Sequence, residues 1–146
     1  MKMSTKGRYG LRVMIELANH YGQGPIPVET IARNQNISGK YIHLIVMGLR
    51  SAGLVRSVRG PNGGYELTRT PDKVTALDVV AALEGRSTPV ECVADTASCS
   101  RADRCAARDV WCDIASAVDG ILSARTLEQL AAKQRAKDEE PPSYCI

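Results

Sequence analysis

Between residues 5 and 21 the polar side chains form one stripe. Arg8, Arg12 and Glu16 recur at four-residue spacing, while Tyr9, Val13, Met14, Leu17 and Ala18 fill the rest of the turn. That period predicts a helix, and so narrow a polar stripe predicts a mostly buried, central one. Two glycines and two prolines in residues 22–27 break it. A short helix over 28–34 would turn Val28, Ile31 and Ala32 inward. After a turn at 34–38, Ser38 is a good N-cap for a second helix through Ala52, burying Tyr41, Ile42, Ile45, Val46 and Leu49. Gly53 suits the C-terminal stop.

Two strand-like runs, 54–58 and 65–68, then flank Arg59-Gly60-Pro61-Asn62-Gly63-Gly64. Asn-Gly predicts a hairpin there, since both residues tolerate positive φ. Helix, turn, helix, hairpin is the order of a winged helix-turn-helix. Residues 75–83 read as a further short helix capped by Thr75, and 84–102 as irregular chain. A long helix over 102–122 repeats Trp111, Ile114, Val118 and Ile121 at spacings of three, four and three, flanked by Ala115 and Leu122. This coiled-coil-like seam follows an already complete winged domain, so a second copy of the chain is its expected partner. Residues 126–132 predict a last short helix, and the charged, proline-containing 133–146 a loosely held tail.

The expected fold class is thus mainly α with a small β-hairpin wing. It divides into a winged helix-turn-helix DNA-binding domain (1–83), a cysteine-bearing sensor loop (84–102), a dimerisation helix with a final short helix (103–132) and a flexible tail (133–146).

Charge sharpens this picture. The net charge of the 146 residues is +3, but residues 1–70 hold 3 Lys and 7 Arg against 3 acids (+7), and residues 71–146 hold 3 Lys and 6 Arg against 13 acids (−4). A basic half that coincides with the winged domain fits a polyanion, because neutralising phosphates releases counterions. No apolar run approaches the roughly 20 residues that span a bilayer, and no signal-peptide core follows the polar start, so a cytoplasmic protein is expected.

In a helix-turn-helix the second helix enters the major groove. Opposite its buried face it offers Lys40, His43, Leu44 and Met47, with Ser38 at its start. Ser38 and Lys40 suit phosphates, and His43 can donate to guanine or phosphate. Leu44 is expected to pack on the wing or first helix, with thymine methyls as the alternative. The wing adds Arg56 and Arg59, and an arginine at a hairpin tip suits a narrow minor groove.

Cys92-x6-Cys99-x5-Cys105 is not the CxxC pairing of a zinc ribbon. In a reducing compartment such a cluster of thiols points to metal rather than disulfides. Its spacing suits an irregular loop wrapped around a larger object, such as an iron–sulfur cluster. The fourth position stays open. Cys112 lies seven residues beyond Cys105, about 10 Å along a helix at ~1.5 Å per residue, and reads as a small apolar side chain. Asp109 shares the helical face of Cys105 and could supply an oxygen. Cys145 falls in the tail.

Together these residues resemble the IscR-type family of bacterial winged-helix repressors, with iron–sulfur, nitric-oxide and cysteine-responsive members. The likeness covers about residues 1–132. Its most specific stretches are Ser4-Thr5-Lys6-Gly7-Arg8-Tyr9-Gly10, the run from Leu49 to Val55, and Val58-Arg59-Gly60-Pro61-Asn62-Gly63-Gly64-Tyr65. The resemblance implies a homodimer with crossed long helices and each cluster lying between one subunit's loop and the partner's DNA-binding domain. It places Ser38, Lys40, Tyr41 and His43 on the recognition helix and Arg59 on the minor-groove wing. A two-iron, two-sulfur cluster (2Fe-2S) is its first implication, with a four-iron, four-sulfur cluster (4Fe-4S) as the alternative. Two positions depart from it. Members that hold a two-iron, two-sulfur cluster commonly carry histidine three residues after the third cysteine, where this chain has Arg108, and some nitric-oxide sensors use an acid near the start of the first helix, where it has Arg8. Asp109, Glu16 of the partner subunit, or no protein group at all remain for the fourth ligand.

The expected function is sequence-specific binding to a double-stranded DNA operator, as a repressor controlled by a cluster on Cys92, Cys99 and Cys105. A cluster-free repressor of cysteine metabolism working through a protein partner is the alternative. A thiol enzyme would need a base beside its cysteine, yet His20 and His43 both fall in or beside the DNA-binding half.

Overall fold

In a computed structural model of the chain, residues 3–85 and 88–139 are described. The elements are α1 (Thr5–Asn19), α2 (Val28–Gln35), α3 (Gly39–Ser51), β1 (Val55–Val58), β2 (Gly64–Leu67), α4 (Ala76–Glu84), α5 (Glu91–Ala94), α6 (Ala106–Ser123) and α7 (Leu127–Glu139). The fold is mainly helical, with one two-stranded antiparallel hairpin pairing Val55 with Leu67 and Val58 with Gly64.

Helix α1 is the spine, as its narrow polar stripe predicts. Val13, Met14 and Leu17 are buried in a core shared with Ile31 of α2, Ile42, Ile45 and Leu49 of α3, Val79 of α4 and Leu127 of α7. One member of the stripe is a surprise. Glu16 is buried, and its two oxygens accept from Asn34 Nδ2 at 2.7 Å and Gln35 Nε2 at 2.8 Å. This carboxylate therefore clamps the end of α2 to α1, and both oxygens are already engaged.

Several helix ends are fixed by side-chain caps. The Ser4 hydroxyl accepts from Gly7 N, and the Glu84 carboxylate reaches back from the end of α4 to accept from Ser4 N and Gly7 N at 3.0 and 3.1 Å. Ser38 caps α3 by accepting from Tyr41 N, and Thr75 and Asp78 form a capping box on α4. Helix α3 stops at Gly53, whose φ of 71° is the left-handed region glycine enters freely.

The hairpin tip differs from a two-residue Asn-Gly turn. Five residues, 59–63, form the tip, closed by Gly63 N donating to Gly60 O at 3.0 Å, and Gly60 rather than Asn62 carries the positive φ. The wing is also not free-standing. Ile26, before α2, bridges to Tyr65 of β2 through two backbone hydrogen bonds of 2.9 Å, and a Cβ on Gly64 would collide with the Ile26 carbonyl.

The C-terminal half departs most from expectation. The 84–102 stretch is not wholly irregular: it holds α5 and short 3-10 turns at Thr96–Ser98 and Ala102–Arg104. The long helix starts at Ala106 instead of 102, with Cys105 at its N-cap. Helix α7 runs to Glu139, past the expected end at 132, so residues 133–139 are helix rather than loose tail. Residues 140–146, with Cys145, lie outside the described residues. The last helix also packs on α1, with Leu127 and Ala131 in the common core. A bridge between Thr75 and Thr126 pins its start beside α4. The division at 103–132 therefore does not follow the packing, since α7 belongs with the winged domain.

Helix α6 is the exception to all this burial. None of its eighteen residues is buried, and Val110, Trp111, Ile114 and Ile121 are 53%, 38%, 37% and 64% exposed.

Candidate nucleic-acid interface and cysteine loop

The exposed face of α3 carries Ser38, Lys40, His43, Leu44 and Met47, as the helix period predicts. Leu44 does not pack on the wing or the first helix: it is 49% exposed, and Met47 beside it 64%. Two apolar side chains thus lie open on the face that also holds Lys40 and His43. Tyr41, by contrast, turns toward α1. It is half-buried with its ring edge-on to Tyr9, centroids 6.0 Å apart. Tyr41 sets how α3 sits on α1 instead of projecting with Lys40.

The two wing arginines separate in the same way. Arg56 Nε donates to Glu66 Oε1 at 2.8 Å across the hairpin, since the register places the two residues opposite one another. The contact tethers Arg56 along the sheet, although its side chain stays 66% exposed. Arg59 stands exposed at the tip and makes no hydrogen bond or ion pair among the described residues. His43 and Arg59 line one shallow hollow of about 350 Å³ with Val28, Glu29 and Tyr65. Helix α3 and the wing tip therefore present a joint surface. Tyr65 is the residue that sequence reasoning missed here. Its hydroxyl lies 2.9 Å from His43 Nδ1.

A larger cleft, about 760 Å³, lies on another side between α1, α2 and α7, lined by Arg12, Glu16, His20, Asn34, Gln35 and Arg135 among others. Its buried carboxylate is the one already satisfied by Asn34 and Gln35. Among the described residues no buried side-chain polar atom lacks a partner.

The cysteine loop is tightly organised. Cys92 lies on α5, Cys99 ends the Thr96–Ser98 turn with its N–H on Thr96 O, and Cys105 occupies the positive end of α6. All three are half-buried. Arg108 fastens the loop to α6, its Nε donating to the Cys92 carbonyl at 2.9 Å. Asp109 is exposed in the first turn of α6. Cys112 lies about two turns beyond Cys105, half-buried in a hollow with Val93 and Ala94 of α5.

Among the described residues, no three His, Cys, Asp or Glu side chains converge as a single ion demands. A cluster shares its ligands over several irons and asks for soft sulfur around a loop rather than at one point. The donor set of three thiols on one short loop fits that chemistry.

Comparison with known proteins decides the family. The model of the Rrf2 family, described as iron-dependent transcriptional regulators, matches residues 3–133. The chain belongs to the Rrf2 family. It is 45% identical over 139 residues to the HTH-type transcriptional regulator CymR of Bacillus subtilis (strain 168), covering 95% of this chain and 96% of that one. The solved structure of B. subtilis CymR, described as the global cysteine regulator, superposes with a TM-score of 0.77 over 91% of this chain and 98% of that chain. The structure of T. potens IscR superposes with a TM-score of 0.76 at 32% identity, covering 99% and 95%. The resemblance seen in the sequence is therefore correct, as is the winged-helix fold. The protein is a transcriptional regulator and not an enzyme.

Proposed function

We propose that this Rrf2-family regulator binds its operator as a homodimer and takes its signal through an iron–sulfur cluster on Cys92, Cys99 and Cys105. The observation that carries the reading is the placement of three thiols on one loop that Arg108 fastens to α6, the helix with the unpaired apolar seam. Signal site and dimer contact are thereby one mechanical unit. The work is cytoplasmic, where the chromosome is.

The chain's own residues define the path from loop to DNA. Paired α6 helices fix the separation of the two α3 helices, which must match the half-site spacing of the operator. Lys40 and Ser38 hold phosphates, His43 reads a base edge, and Arg59 enters the minor groove from the wing. Arg56, held by Glu66, stiffens the wing. A bound cluster supplies a link between the three thiolates that iron supply and oxidants can make or break. Helix α4, which leads into the loop, ends in Glu84, and Glu84 caps α1. A change of loop shape is thus passed to the spine of the DNA-binding domain. Two irons and two sulfides suit three thiolates with one open position; a four-iron cluster is the other form that this donor set allows.

A second reading is a cluster-free repressor acting through a protein partner. It is favoured by the 45% identity to a regulator described as the global cysteine regulator. Anaerobic purification separates the two. Brown protein with iron and acid-labile sulfide in stoichiometric amounts supports the cluster, whereas colourless protein without sulfide supports the partner-dependent repressor.

A further inference from the structure

The contact between His43 and Tyr65 joins the exposed face of α3 to the wing. His43 Nδ1 lies 2.9 Å from the Tyr65 hydroxyl, with the rings edge-on at 76° and centroids 6.1 Å apart. Tyr65 itself is held from behind. Its backbone N–H and C=O both bond Ile26, and Gly64 lets the strand approach the Ile26 carbonyl closely. One end of the contact is therefore rigid, while the other is an exposed imidazole that would otherwise rotate freely.

The direction of the hydrogen bond follows from the chemistry of the two groups. A phenol O–H is a stronger acid than a neutral imidazole N–H, and an imidazole nitrogen is a stronger base than a phenol oxygen. The favourable pairing has Tyr65 O–H donating to Nδ1. The remaining ring proton then sits on Nε2, since the bond made by one ring nitrogen fixes the state of the other. Nε2 of this exposed residue, which makes no hydrogen bond among the described residues, is then the free donor of a ring held by its other nitrogen.

We infer that Tyr65 is a specificity-determining positioning residue. By accepting no role at the DNA itself and holding His43 with Nε2–H outward, it makes this position of α3 select an acceptor edge in the major groove. Guanine offers two such acceptors, O6 and N7, adenine N7 and thymine O4 offer one each, and the cytosine amino group offers none. This rests on α3 being the recognition helix, as proposed above, and adds a base preference with its structural cause.

The test uses full-length protein and a duplex recovered by that protein from a randomised double-stranded library. Affinity and salt slope are measured for the native protein, Tyr65→Phe, His43→Ala and the double variant, on that duplex and on copies with single guanines replaced by 7-deazaguanine. Thermal melting of each variant controls for folding. The expected result is a loss on the order of threefold to tenfold per half-site for Tyr65→Phe, the size of one hydrogen bond. The salt slope should stay unchanged, because no phosphate contact is lost. Preference at one guanine should fall in both single variants, and adding Tyr65→Phe to His43→Ala should cost nothing more. If Tyr65→Phe keeps native affinity and preference while His43→Ala loses them, the positioning role is overturned. An additive double variant overturns it too, since the tyrosine then contacts DNA by itself. If His43→Ala changes nothing, recognition by this face of α3 fails with it.

Discussion

Aspartate at both Ile114 and Ile121 should split the dimer and leave the fold intact. Both side chains lie open on α6, whereas Val118 lines a hollow against Leu77 and Val80 of α4 and is better left alone. Fully burying an isoleucine or valine is worth about 1.5–3 kcal/mol. Scaled by the fractions still exposed, Val110, Trp111, Ile114 and Ile121 hold roughly 4–7 kcal/mol in reserve per protomer. A two-fold pairing counts the seam twice, or about 8–14 kcal/mol, with further area from Ala115, Val118 and Leu122. Association itself costs about 4–15 kcal/mol, so a micromolar or tighter dimer is within reach of this seam. Four carboxylates desolvated in it would each cost several kcal/mol and should raise the dissociation constant by at least about a thousandfold. Because α6 contributes no buried residue within the chain, the separated protomer should still unfold cooperatively, with its melting lowered only by the lost association energy. Sedimentation equilibrium across the micromolar range measures the effect. Native protein that stays monomeric, or a double variant that still pairs at native concentration, refutes the reasoning.

Three further outcomes follow from particular contacts. Leu127→Ala removes a fully buried side chain from the core shared with α1, so urea unfolding should show a loss of about 2–5 kcal/mol; a loss below about 1 kcal/mol would return α7 to the periphery. Glu16→Leu removes two charge-assisted hydrogen bonds, to Asn34 and Gln35, and should cost about 2–4 kcal/mol by the same assay, against a near-neutral result if Glu16 were merely a surface residue. Arg59→Ala should weaken operator binding with the fold unchanged, and Lys40→Ala should weaken binding to all duplexes alike while lowering the salt slope by about 1. Unchanged affinity in the Arg59 variant at physiological salt would remove the wing from the interface.

The order and type of the elements were legible because local signals agreed. Helical periods, the caps Ser38 and Thr75, and a glycine-rich tip all pointed to one winged fold. What could not be read were contacts between residues distant in the chain. Arg56 looked free for DNA because its partner Glu66 is identified only by the strand register. Tyr41 looked like a reading residue because α1's Tyr9 was not yet placed against it. The stripe of Arg8, Arg12 and Glu16 hid a buried carboxylate, since only the approach of α2 supplies its two amide donors. The run after Lys133 read as a tail from its charge, yet Leu127 and Ala131 anchor the helix that it prolongs. Leu44 erred in the other direction, being exposed where packing was expected.

Three particular thiols, on this proposal, carry the signal that governs operator binding. The most direct test is to measure iron content and operator affinity together, under anaerobic conditions, for serine variants at Cys92, Cys99, Cys105, Cys112 and Cys145. Loss of iron with a changed operator affinity at each of the first three, and near-native values at Cys112 and Cys145, is the predicted result. Native protein that holds no iron, or serine variants at the first three that bind operator as the native protein does, would contradict it.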